Sequence, residues 1–393
     1  MKHRLPRSRS EVSTWCGPRS VAAAHRESEG RGAARATVDL LMKTAGARRV
    51  TMQDVARLAN VSTKTVSNVI NGNPKATEET KQRVLEAIDL LGYRLNVTAR
   101  NLRQGRTGQI SLAIPELKNP YFGELADLVL EEAKSYGLKV LVQQTNFDRE
   151  AELAILEGAQ ALGVDGVIFS PLLLGPADAR YFHVDFPLVL IGESVFDVGL
   201  DHVSMSNVEA ARAATEHLID IGCRKIALIG SDPDEERGAS GLRLRGYKEA
   251  LTAHGLPVDR TLIAGTDRWH SDKGAAAVST LLAKDAGIDG IVALNDLLAF
   301  GAIHELSRHG RRVPQDVAVV GFDDTEAAGY SLPSLSSVNP GRADIARNSV
   351  RFLHERITQS SGAHAAEPPR LYMAPFEVIQ RDTTTPEGAQ PRA

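Results

Sequence analysis

Cysteine is nearly missing from this sequence: Cys16 and Cys223 are the two in 393 residues. Disulfide frameworks and cysteine-bound zinc both need several cysteines at short spacing, so neither is expected. No apolar run approaches the roughly 20 residues that span a bilayer, and the basic N-terminus lacks the apolar stretch of a secretory signal. A cytoplasmic protein with no membrane partner is therefore expected. Catalytic signatures are missing as well. Neither G-x-G-x-x-G after a strand, G-x-x-x-x-G-K-[ST], H-E-x-x-H nor G-x-S-x-G occurs. "GFDDTE", at 321–326, presents two carboxylates, but helix capping plus one ligand contact explains them better than a metal. The sequence points away from an enzyme and calls for no cofactor and no metal.

What is present is a globular composition, 42% hydrophobic and 24% charged, in a chain long enough for two or three domains. The net charge of −3 conceals an asymmetry. Residues 1–106 hold 20 Lys and Arg against 9 Asp and Glu, a balance of +11, which leaves −14 for residues 107–393. A basic head on an acidic body points to an anionic partner at one end, nucleic acid being the usual one. Residues 1–49 are rich in Arg, Ser, Gly and Ala without a sustained period, and read as a basic disordered extension.

From residue 50 the pattern sharpens into "RVTMQDVARLANVSTKTVSNVING". Thr51 is placed to cap a helix with Asp54 returning the bond, and Val55, Ala56 and Ala59 then share a face. Asn60 tolerates the left-handed backbone of a tight turn. Ser62 caps a second helix that turns Val66, Val69 and Ile70 inward. Two short helices so joined make a helix-turn-helix. Thr63, Lys64, Ser67 and Asn68 are then left on the outer side of the second helix, where a recognition helix meets base edges: lysine donates to guanine, asparagine pairs with adenine, and hydroxyls reach phosphates or bases. "KATEETKQRVLEAIDLLGYRLN" supplies a third helix, capped by Thr77, with Val84, Leu85, Ile88 and Leu91 in period and Gly92 at its end. After it, Arg100, Arg103 and Arg106 sit among small residues in a stretch too short to hold a helix unaided and well charged for phosphates.

The body alternates apolar runs ("LKVLVQQ", "DGVIFS", "PLVLIG", "KIALIG", "DGIVAL", "VAVVGF") with amphipathic helical stretches. That is βαβ organisation with parallel sheets, and about 280 residues of it suggest two lobes with a ligand between them. In such sheets ligands lie beyond the carboxyl ends of the strands. The residues there suit a polar, sugar-like ligand: Asn119, Tyr121 and Phe122 after "QISLAIPEL", Ser170 after "DGVIF", Asn295 and Asp296 after "DGIVAL", Asp323 and Asp324 after "VAVVGF". Amides and carboxylates pair with hydroxyls, and an aromatic ring covers an apolar sugar face. Asp296 and Asp324 read equally well as helix caps, and Phe122 as core packing.

The ordered set "TMQDVARLANVSTKTVSNVINGN", "TKQRVLEAIDLLGYRLN", "ARNLR", "NPYF", "NDLLAFGA" and "VAVVGFDDTEAAGYSLPSLSSV" resembles the lactose-repressor (LacI-type) family of bacterial transcription regulators over residues 50 to about 381. The resemblance implies a DNA-binding head, a hinge helix that orders on the operator, and a periplasmic-binding-protein-like core sensing a small molecule. It gives Thr63, Lys64 and Asn68 the base-reading positions and makes Leu102 the hinge residue wedged into the minor groove. It also matches Arg243, Trp269, Asn295 and Asp323 to effector-contacting positions on the second lobe, and Asn119, Tyr121 and Phe147 to the first. Glu193 stands where the family varies. Two departures are Asn60 in place of the family's glycine and Leu95 in place of the proline before the hinge.

The expected architecture is an all-α helix-turn-helix head (50–94), a hinge (95–107), a two-lobed α/β core of parallel sheets (108–381) and a disordered tail (382–393). The expected function is a homodimeric repressor of carbohydrate-utilisation genes, because one short helix reads few base pairs and a two-fold dimer on a pseudo-palindromic double-stranded operator doubles the interface. A sugar or sugar derivative is the expected effector. The competing reading is a solute-binding receptor with the same core and no gene regulation.

Overall fold

A computed structural model describes residues 50–70, 76–93, 106–158, 162–194, 197–284, 287–359 and 367–385. The chain divides into two units, Met1–Asn96 and Val97–Ala393. In the first, α1 (Met52–Leu58), α2 (Thr63–Ile70) and α3 (Glu78–Leu91) enclose Val55, Ala56, Ala59, Val66, Val84, Ala87 and Leu91. Local chemistry sets the helix ends. Asp54 accepts the Thr51 backbone N–H at 2.9 Å and its hydroxyl at 2.6 Å. Ser62 Oγ accepts the Thr65 N–H at 3.0 Å, and Thr77 Oγ1 the Thr80 N–H at 3.3 Å. Between α1 and α2, Asn60 adopts the expected left-handed backbone, with φ of 51°. Leu85 corrects the reading of α3: it is 51% exposed, and Ala87 is buried instead. Counted from Val84, positions three, four and seven residues on (Ala87, Ile88, Leu91) share a helix face, while the next residue lies about 100° away.

The second unit opens with a first lobe built from β1 (Gln109–Ile114), α4 (Pro120–Ser135), β2 (Lys139–Gln144), α5 (Arg149–Gly158), β3 (Val167–Phe169), β4 (Leu188–Ile191) and β5 (Asp201–Met205). The chain then crosses to a second lobe: α6 (Asn207–Asp220), β6 (Ile226–Ile229), α7 (Gly238–Ala253), β7 (Ile263–Ala264), α8 (Ser271–Ala283), β8 (Gly290–Ala293), α9 (Asp296–Arg308), β9 (Ala318–Phe322), α10 (Glu326–Tyr330) and β10 (Ser336–Asn339). It returns to the first lobe through α11 (Arg342–Gln359) and β11 (Leu371–Ala374), and ends in the second with β12 (Glu377–Ile379). Among the described residues each lobe has a six-stranded sheet, ordered β11-β5-β4-β3-β1-β2 and β12-β10-β9-β8-β6-β7. The pairings are parallel except β10 with β12, where Val338 faces Val378. The central strands are buried on both faces, as helix-covered parallel sheets require.

Three short crossings, at residues 206, 340–341 and 375–376, join the lobes. Helices in the second lobe touch backbone to backbone: a Cβ at Gly301 of α9 would lie 1.9 Å from the Ser271 carbonyl of α8, so that contact needs glycine. The expected tail boundary is corrected. Thr383 and Thr384 are fully buried; Thr383 Oγ1 accepts the Ser336 N–H at 2.8 Å, and Thr384 Oγ1 lies 2.8 Å from His217 Nε2. The core therefore runs on to Thr385, because the last residues complete the polar side of β10. Among the described residues no helix is long and apolar enough to cross a membrane.

One buried charge ties the returning segment to the first lobe. The Asp201 carboxylate, on β5, accepts from Arg356 on α11 at 2.8 Å and from Arg370 at 2.7 Å. Burial alone would raise its pKa, but those hydrogen bonds outweigh it and bring it down to about 2. Asp201→Asn is expected to cost about 3 kcal/mol, the low end for breaking a buried pair, since both guanidiniums reach some solvent. The folded pKa is depressed, so this stability is present above pH 4 and is lost as pH falls through about 2. Denaturant melts of both proteins at pH 7 and pH 2.5 check it: the gap between them should shrink at the lower pH.

Candidate functional site

On α2, Val66 is fully buried while Thr63 and Lys64 are exposed and Ser67 and Asn68 are half-buried beside them. The buried valine fixes the helix roll, so these four polar side chains lie along its outer and flanking surface, and no acidic residue occupies its first turn. The proposed hinge residues Arg100, Leu102 and Arg103 lie outside the described residues, as do residues 1–49. Arg106 and Thr107 belong to the core: Arg106 donates to the Ile357 carbonyl at 2.8 Å, and the Thr107 N–H to Asp165 at 2.7 Å.

The core's candidate residues gather where strand ends from the two lobes meet. Tyr121, in the first turn of α4, is buried, with the ring of Phe122 edge-on at 5.1 Å; Phe122 packs against the core. Ser170 is buried after β3, next to the Gly192 backbone after β4. From the second lobe comes Arg243 on α7, 2% exposed. Its Nε donates to Asn207 at 2.7 Å, its terminal nitrogens reach the Leu294 carbonyl and, at 3.5 Å, the Met205 sulfur. The guanidinium stacks 3.4 Å from the Phe322 ring centre, with the Trp269 ring at 5.2 Å. Trp269 is itself anchored, its indole N–H donating to the Gly230 carbonyl at 2.8 Å. Asp323 directly follows β9 with φ of 108°, a left-handed backbone that Asn and Asp adopt more readily than other side chains.

Two expected ligand amides are committed to their own helices. Asn119 Oδ1 accepts the Tyr121 N–H at 3.1 Å. Asn295 Oδ1 accepts the Leu298 N–H at 2.8 Å while its Nδ2 donates to the Trp269 carbonyl at 3.1 Å. Both shape the site by holding Tyr121 and Trp269. The two carboxylates read as possible caps are not caps. Asp296 accepts from Thr325 and Ser337, with its pKa pushed up to about 6 by burial; Asp324 accepts from Asn339 at 3.1 Å and Arg381 at 2.7 Å.

These groups also act on one another electrostatically. Burial raises Tyr121 first, Glu193 and Asp323 raise it further, and Arg342 and Arg243 oppose them. Burial likewise lifts Asp323 well above the carboxylate range, with Arg243 and Arg342 opposing and Asp296 and Glu193 adding. Three contacts bridge the lobes. His270 Nε2 lies 2.8 Å from Glu116 Oε1, Arg268 stacks 4.0 Å over Phe147, and Glu124 on α4, which pairs with Arg342 at the start of α11 at 2.6 Å, accepts the Glu326 N–H at 2.9 Å. Glu116, Arg268, His270 and Arg342 escaped the sequence reading because no motif marks them; Glu193, directly after a strand end, carried a usable signal. Among the described residues no cluster of three or more His, Cys, Asp or Glu side chains is placed to hold a metal.

Residues 51–96 match the family model of bacterial regulatory proteins, lacI family, and residues 215–384 that of a periplasmic binding protein-like domain. The chain is 34% identical over 341 residues to the HTH-type transcriptional regulator CelR of Thermobifida fusca, covering 83% of this chain and 96% of that protein. The chain belongs to the LacI family. As a LacI-family protein it is a sequence-specific DNA-binding transcription regulator and not an enzyme, and the reading as a receptor without gene regulation falls with the helix-turn-helix match. Two solved structures resemble this LacI-family chain. The transcriptional regulator CelR–cellobiose complex is 30% identical, with 85% of this chain and 100% of that chain covered and a TM-score of 0.63. The lac repressor dimer bound to operator and the anti-inducer ONPF is 25% identical, with 86% and 99% covered and a TM-score of 0.66.

Proposed function

We propose that this LacI-family regulator acts in the cytoplasm as a homodimer that represses carbohydrate-utilisation genes, with a sugar held between its lobes altering operator affinity. Thr63, Lys64, Ser67 and Asn68 read base edges, while Arg100, Leu102 and Arg103 form the hinge at the minor groove. One observation carries the effector reading: Tyr121 of one lobe and Arg243 and Asp323 of the other are buried, and Arg342 links them, its guanidinium 5.9 Å from the Tyr121 ring centre and donating to the Asp323 carbonyl. A ligand touching both sets stabilises one lobe arrangement over others, and such differential contact is the source of allosteric free energy. The similar dimer on operator and the similar complex with cellobiose support two-fold DNA binding and a sugar effector.

Selection from a random duplex pool with the full chain tests the DNA side. Enrichment of a two-fold symmetric sequence is expected, and half-sites one helical turn apart follow from docking two recognition helices in successive major grooves. A pool that emerges without symmetry would count against the dimeric reading. For the effector side, thermal shift against neutral mono- and disaccharides should raise the melting temperature with at least one of them, as mass action on the folded state requires.

A further inference from the structure

Two helices of the first lobe reach from the junction of the lobes to the point where the core begins. α4 and α11 pack against each other, and contacts at two levels show that they run side by side in the same direction. Glu124 pairs with Arg342 at 2.6 Å, and further along the Tyr136 ring lies 4.6 Å from the ring of His354. Twelve residues separate Glu124 from Tyr136, and twelve separate Arg342 from His354. The helices therefore stay in step over about 18 Å, at 1.5 Å per residue.

Both ends of this pair are tied to something else. At the junction, Arg342 donates to the Asp323 carbonyl and, at 3.0 Å, to that of Asp324, while Glu124 accepts the Glu326 N–H at 2.9 Å; all three partners belong to the second lobe. At the far end, α11 meets Arg106, the first described residue of the core. The Ile357 carbonyl is among the last four of α11, which have no partner within the helix. Arg106 supplies the missing donor at 2.8 Å, and its charge suits the negative end of the helix. Just beyond it, Asp165 accepts the Thr107 N–H at 2.7 Å, the Thr107 hydroxyl at 2.9 Å and the Gly108 N–H at 2.7 Å. The start of the core is thus held on one side by a loop and on the other by the end of α11. A helix is stiff along its axis, so a shift of the second lobe that moves Arg342 moves Ile357 too, and rigid packed elements of this kind carry coupling between distant sites.

We propose that α4 and α11 act as a strut between the second lobe and the root of the hinge, with Arg106 the positioning residue through which the lobe arrangement sets operator affinity. The proposal calls on DNA binding and holds for whatever effector the core takes. A double-mutant cycle between Glu124 and Arg106 tests it with no effector present, by titrating the full chain at fixed salt against the duplex that the wild type selects. Independent sites this far apart combine additively to within about twofold. Glu124→Ala removes both ties of α4 at the junction while keeping a strong helix former. It should change operator affinity at least about threefold in the wild type, and by less than about twofold in Arg106→Met, which keeps the length of the side chain without the donor. Arg106→Lys, which can still donate to the carbonyl, should restore the effect of Glu124→Ala. An Arg106 that only contacts phosphate or only steadies the fold would instead lower affinity by the same factor with and without Glu124. Melting curves report folding, and amide exchange at Thr107 and Gly108 in the free chain gives a reading that needs no DNA: it should be faster in Glu124→Ala than in wild type. Additive effects on operator affinity, or exchange at Thr107 and Gly108 that ignores Glu124→Ala, overturn the proposal.

Discussion

Replacing Asp323 by asparagine or alanine is expected to abolish the effector's influence on operator binding, a change of roughly 5–150-fold in the wild type. Asp323 stands at the end of β9 among Arg243, Arg342, Glu193 and Tyr121, and its backbone is held by the Val338 carbonyl, which accepts its N–H at 2.9 Å. The side chain is thus fixed where both lobes converge, and no part of α2 is altered by changing it. Asparagine preserves the size and the tolerance for φ of 108°, whereas alanine adds backbone strain at that position. If the response depends on the carboxyl group itself, both variants should lose it and only alanine should melt earlier. Operator titrations with and without a binding sugar separate the outcomes: a variant that keeps the full response removes Asp323 from the site, and one that fails to bind operator at all has misfolded.

Lys64→Ala and Asn68→Ala are each expected to cost roughly 1–3 kcal/mol of operator binding and to relax the preferred base at one position per half-site. Val66, 0% exposed, fixes the roll of α2, and the Ser62 cap fixes its start, so removing an outward side chain leaves the helix in register. Binding to unrelated duplex should change much less, because phosphate contacts carry no sequence information. Selection from a random pool with each variant reads this directly. An unchanged preferred sequence with both variants would mean that another face of the unit reads the bases.

The first unit was legible because its determinants are local. Thr51 with Asp54, Ser62, Thr77 and Gly92 sit within a few residues of the ends they define, and Asn60 carries its own turn preference. The short apolar strands β3, β4, β6, β8 and β9 were legible for a related reason: helices cover both faces, so nearly every residue is apolar. β5, by contrast, reads "DHVSM". Its aspartate is buried because Arg356 and Arg370, more than 150 residues away, complete it, and no local pattern announces that. Thr383 and Thr384 were assigned to a tail for the same reason, since their partners Ser336 and His217 are distant in sequence. At the site, residue type was readable and role was not. Asn119 and Asn295 have the chemistry of ligand contacts, yet each amide oxygen caps a helix. Arg342 has no motif at all; its position follows from the second crossing between the lobes, at residues 340–341.

The most direct test is a titration of the full chain against its selected two-fold operator, at fixed salt, with and without the neutral sugar that gives the largest thermal shift. Both lobes contribute to one site in a chain that reads DNA, so operator affinity should move by roughly 5–150-fold when the sugar is saturating. An affinity that does not move with any sugar that binds the core would contradict the coupling between the space around Tyr121 and the recognition helix.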